Sequence, residues 1–68
     1  MQAAKRIGPR IRALREKNGI SLTALAQAAG RDSAALSRIE MGRAWVIRFY
    51  DLIRLADSLK VDVGDLFK

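Results

Sequence analysis

The reactive side chains of this 68-residue sequence are mostly guanidinium and ammonium groups. Cysteine and histidine are absent. Disulfides, thiolate metal sites and the commonest general base and zinc ligand are therefore excluded. Thirteen lysines and arginines stand against seven aspartates and glutamates, giving a net charge of +6 and an isoelectric point near 10.9. A small domain with that balance suits a polyanion, either nucleic acid or an anionic membrane surface, with a merely solvated surface as the alternative. Lys5, Arg6, Arg10, Arg12, Arg15 and Lys17 share the first twenty residues with one acid, Glu16, whereas residues 49–68 are slightly negative. That asymmetry suggests one face aimed at phosphates. Asp62 and Asp65 have the spacing of a helix cap rather than of a catalytic acid–base pair. No catalytic residue, metal or cofactor is expected.

The elements that position these charges are predicted to be helices in one domain, residues 1–68. So short a chain buries only about 60% of its unfolded surface, so the core has to be efficient or extended by a partner. Half of the residues are hydrophobic, which argues against disorder. The longest apolar run, Ala44 to Ile47, is too short to span a membrane, and no signal peptide is visible, so a cytoplasmic location is expected. Ile7, Ile11 and Leu14 form the buried stripe of a first helix. Pro9 is comfortable only in a first turn, which predicts a start near Ile7 or Gly8, and Asn18-Gly19 ends the helix. Ser21 is the N-cap of a second helix, Leu22 to Ala29, and Gly30 makes the turn after it. Asp32 caps a third helix, Ser33 to Met41, with Gly42 just past its end. Small Ala26 falls where these two helices cross. Helix, glycine-containing turn and helix make a helix-turn-helix unit, with Leu25, Leu36 and Ile39 turned inward. Phe49, Leu52, Ile53, Leu55, Ala56 and Leu59 have the spacing of a fourth amphipathic helix with a broad apolar face. A short fifth helix follows, with Asp62 as N-cap, Asp65 at N3 and Leu66 and Phe67 inward.

RIRALREKNGISLTALAQAAG, LSRIEMGR and LIRLADSLKVDVGDLF together resemble the XRE-type helix-turn-helix family of phage repressors, Cro proteins and their bacterial relatives. The resemblance runs from about Ile7 to Phe67. It implies an all-α, five-helix lambda-repressor-like domain that binds double-stranded DNA, usually as a homodimer on a two-fold operator, in transcription regulation. It also implies a structural ion pair between Arg15 of the first helix and Glu40 of the third.

Ser33, Ala34, Ser37, Arg38 and Met41 share the outward face of the third helix by helical spacing. The resemblance implies that the first turn of this helix and Arg38 meet base edges in the major groove. Arg38 can bond guanine O6 and N7 together, a contact worth about 1–3 kcal/mol of discrimination, or else touch a phosphate. Ser33 and Ser37 can bond bases or phosphates, and Ala34 can meet a thymine methyl. Phosphate contacts are expected from Arg43, Arg31 and Arg48 and from the amides opening the second helix.

The sequence departs from the family pattern at three places. Leu22 stands where, in the family, a glutamine commonly contacts a phosphate, which puts that particular contact in doubt. Arg31 replaces a residue that is often apolar or threonine. Ala-Trp-Val-Ile at 44–47 replaces a polar loop, and Trp45, Val46 and Ile47 either fill the core or, with Leu66 and Phe67, form a dimer patch. Control by concentration and dimerisation is expected, with no small-molecule ligand. The competing reading is a protein-interaction module, such as an antitoxin or adaptor, that keeps the fold without reading DNA.

Overall fold

The computed structural model describes residues 2–44 and 47–68, with side chains from Arg6 onward. Four α-helices, α1 (Gln2–Lys17), α2 (Leu22–Ala28), α3 (Ser33–Glu40) and α4 (Phe49–Leu59), precede a 3-10 helix, Val63–Phe67. Among the described residues there is no strand. The fifth element is thus helical, but it is a 3-10 turn rather than an α-helix, because five residues close too few i→i−4 bonds to favour the α form. Its cap follows the expectation: the Asp62 amide donates to Asp65 Oδ2 at 3.1 Å. Hydrogen bonds to Lys68 and to that amide hold the Asp65 carboxyl below its ordinary range.

The caps of the central unit are local chemistry. Ser21 Oγ accepts from the Ala24 amide at 3.0 Å, and Asp32 Oδ1 from the Ala35 amide at 2.7 Å. Each satisfies a first-turn donor that has no partner inside its helix. Gly30 and Gly42 end α2 and α3 with φ of +72° and +73°, a region that a side chain would strain. The α2 and α3 ends each fall one residue short of the expected Ala29 and Met41, which act as C-caps.

Helix α1 begins earlier than Pro9 predicts, at Gln2 instead of Ile7 or Gly8. Pro9 costs the helix the bond it would donate to the Lys5 carbonyl. The stretch ahead of it, Gln2-Ala3-Ala4-Lys5-Arg6, consists of strong helix formers that propagate past that gap. Gly8 explains how closely α1 lies on α3. A Cβ there would collide with the Ile39 carbonyl oxygen and press on the Glu40 carbonyl.

One core joins all five elements: Ile7, Ile11 and Leu14 of α1, Leu25 and Ala26 of α2, Leu36 and Ile39 of α3, Leu52, Leu55, Ala56 and Leu59 of α4, and Leu66. Helix α3 packs against α1 and α2, while α4 packs mainly against α2 and the 3-10 helix. The apolar face expected for α4 is only partly inward. Leu52, Leu55, Ala56 and Leu59 are buried, but Phe49 and Ile53 are 63% and 42% exposed. No helix among the described residues is long and apolar enough to cross a membrane.

Candidate nucleic-acid interface

The α3 surface has two faces with separate duties. Leu36 and Ile39 are buried in the core, along with Glu40 at the far end. Ala34, Arg38 and Met41 are exposed and Ser33 and Ser37 half-buried, all within one arc of the helix. The five outward residues named from the sequence are therefore together on one surface. Ser33 Oγ donates to Thr23 Oγ1 of α2 at 3.3 Å, and Ser37 Oγ contacts Met41 Sδ at 3.7 Å. Among the described residues, Arg38 and Arg43 make no ion pair, and their side chains project into solvent.

Arg15 and Glu40 form the clamp behind this surface. Arg15 Nε donates to Glu40 Oε2 at 2.7 Å and Nη2 to Oε1 at 3.0 Å, a bidentate pair, while Nη1 donates to the Ile20 carbonyl at 3.0 Å. The side chains are 13% and 5% exposed. Hydrogen bonding to Glu40, opposed by burial, raises the Arg15 pKa above its ordinary value. One guanidinium thereby ties the end of α3 to α1 and to the turn that opens α2. In front of the clamp a groove of about 230 Å³ runs between α1 and α3, lined by Arg12, Arg15, Leu22, Ser37, Glu40 and Met41. Leu22, in the place of the family's glutamine, forms part of that wall.

The three arginines proposed for phosphates differ. Arg43 and Arg48 are exposed. Arg31 is already engaged, its Nη1 donating to Asp51 Oδ2 at 3.0 Å. Asp51 is 6% exposed, so this pair joins the α2–α3 turn to the first turn of α4. Sequence reasoning passed over Asp51, although a signal was present. Asp51, Leu55 and Leu59 lie four residues apart on one row, and an acid on a core row requires a partner. The Arg54 guanidinium lies over Gly30, where an added Cβ would crowd it.

The proposed dimer residues are scattered. Trp45 and Val46 lie outside the described residues. Ile47 is partly buried against the core. Leu66 is a correction: at 0% exposure it fills the monomer's own core and offers no surface to a second subunit. Phe67, expected inward, is 49% exposed. At the end of a 3-10 helix it follows Leu66 by about 120°, which turns it outward once Leu66 is buried.

The capped helix–glycine turn–helix unit, with its outward α3 face, is the architecture of one family, and a model of the helix-turn-helix domain matches residues 6–67. The chain belongs to that family. Among solved structures it is similar to the restriction-modification controller protein C.AhdI from Aeromonas hydrophila, with a TM-score of 0.90 and 27% identity over 98% of this chain and 100% of that one. The clp gene regulator ClgR from Corynebacterium glutamicum also gives a TM-score of 0.90, with 26% identity over 94% of this chain and 67% of that one. SinR, a master regulator for biofilm formation solved in complex with DNA, gives 0.84 with 34% identity, covering 91% of this chain and 98% of that one. No curated protein matches by sequence.

Proposed function

We propose that this chain is a sequence-specific regulator of transcription that binds a two-fold DNA operator as a homodimer, with α3 in the major groove. The helix-turn-helix family and its likeness to regulators make it a DNA-binding transcriptional regulator. The observation that carries the finer reading is the outward face of α3, where an exposed Arg38 stands among small side chains. Small neighbours let the helix lie close in the groove while the guanidinium reaches a base edge. Ser33, Ala34 and Ser37 complete the reading surface, and Arg43 and Arg48 meet phosphates on either side. Arg31 can join them through the guanidinium nitrogens that Asp51 leaves open. In this reading the chain is not catalytic, works in the cytoplasm on the nucleoid, and answers to its own concentration rather than to a small ligand.

Selection from a pool of random duplexes tests the proposal. The expected product is an enriched two-fold sequence with half-sites about one helical turn apart. Retention of all sequences alike, with strong salt sensitivity, would defeat it. The exposed Phe49 and Tyr50 favour a second reading, a partner-binding module that reads no DNA. That reading predicts a stable complex with another protein and no enriched sequence.

A further inference from the structure

Arg12 of α1 stands on the wall of the groove between α1 and α3, together with Arg15, Leu22, Ser37, Glu40 and Met41. Its side chain is 58% exposed. Among the described residues its polar contact is with Glu16, to which Nε donates at 3.3 Å. That pair holds it weakly, because both side chains are more than half exposed and water and salt screen them. The two Nη groups make no hydrogen bond within the described residues. A guanidinium fork with open nitrogens fits the oxygens of a phosphate.

The rest of the groove leaves its charge to Arg12. Arg15 and Glu40 are spent on each other in their bidentate pair. Leu22 and Met41 are apolar and Ser37 is neutral, so no other lining side chain brings a free charge. Leu22 in particular has no donor to offer at the start of α2. The groove thus carries one cation that the protein itself does not hold.

Placement gives that cation its partner. Ser37 and Met41 belong both to the groove and to the outward face of α3, so the groove opens along the flank of the proposed reading surface. A helix with its side chains is about 10–12 Å across, and the major groove of B-DNA is about 12 Å wide. A group bordering a helix seated there lies against one of the two phosphate strands that edge the groove. On the α1 side of α3, that border is the groove holding Arg12. We propose that Arg12 is a phosphate contact of the DNA surface, and that the groove between α1 and α3 seats one backbone phosphate in each half-site. The contact rests on the DNA reading of the proposed function and extends it to α1, outside the helix-turn-helix unit. Glu16 then has a definite role as well, since its carboxylate competes with the phosphate for the same guanidinium.

The test measures binding of the whole protein to the selected operator over a series of salt concentrations, then to duplexes in which a neutral methylphosphonate replaces one phosphate at a time. Arg12→Ala is expected to weaken binding several-fold, equally on the operator and on base-changed duplexes. It should also flatten the plot of log K against log salt by about 0.9 for each copy bound. One methylphosphonate in each half-site should weaken wild type and leave Arg12→Ala unaffected. Glu16→Gln should bind at least as tightly as wild type, because it frees the guanidinium. Both side chains are more than half exposed, so each variant should keep the wild-type circular dichroism spectrum. Three results would each overturn the proposal: a full salt slope in Arg12→Ala, a scan with no position whose effect disappears in that variant, or a Glu16→Gln protein weakened as much as Arg12→Ala. The last would make the Arg12–Glu16 pair a structural brace. A wild type that selects no operator removes the DNA reading and this contact with it. A selected operator that Arg12→Ala binds with the wild-type salt slope removes this contact alone.

Discussion

Two arginines illustrate how one residue type takes opposite roles in this chain. Arg38 is exposed, whereas the side chain of Arg15 is 13% exposed and spends its fork on both oxygens of Glu40 and on the Ile20 carbonyl. Breaking such a pair leaves a partly buried charge without its partner, a loss of about 3 kcal/mol or more. Glu40→Ala is therefore expected to lower the urea midpoint substantially. The surface pair Arg12–Glu16, with both side chains more than half exposed, contributes at most about 1 kcal/mol. Glu16→Ala serves as the control. If the two variants lose stability equally, Glu40 is not the clamp inferred here.

At the level of the helices, the seam between α1 and α3 depends on an absent side chain. Alanine in place of Gly8 gains about 1 kcal/mol of helix propensity. Its methyl group meets the backbone oxygen of Ile39, which cannot rotate aside, and overpacking of that kind costs about 1–3 kcal/mol. The collision should win. Gly8→Ala is predicted to melt lower, by roughly 4–8 °C for each kcal/mol of net loss in a domain this small. Gly64→Ala, where nothing lies within 4 Å, should change little, and an unaltered melting point for Gly8→Ala would refute the close seam. Ser21, Asp32, Gly30 and Gly42 were legible in the sequence because a cap or a positive φ depends on residues within one turn. Two features were not. Asp51 meets Arg31 across twenty residues of chain, and a helical pattern shows which residues share a row without showing which row a distant segment will cover. The apolar residues of α4 show the same limit: Phe49 and Ile53 obey the helical period as well as Leu52 and Leu55 do, and only the packing of α2 and the 3-10 helix separates buried from exposed.

Considered whole, the molecule has a proposed reading surface on α3 and a joint between its helix-turn-helix unit and α4. The joint is the α2–α3 turn, held to α4 by the Arg31–Asp51 pair. In the proposed homodimer, arginines 31, 43 and 48 of two subunits would offer about six phosphate contacts, a contribution that should be large, salt-dependent and indifferent to sequence. Specificity then depends on a short row of mostly small side chains, with Arg38 as the one long donor. The decisive measurement compares wild type and Arg38→Ala, at one fixed salt concentration, on the selected operator and on duplexes changed at each base pair in turn. The predicted result is that Arg38→Ala loses about 1–3 kcal/mol of discrimination at one base pair in each half-site and keeps its other preferences. Equal weakening on every duplex would make Arg38 a phosphate contact, and no weakening at all would remove Arg38 from the DNA surface.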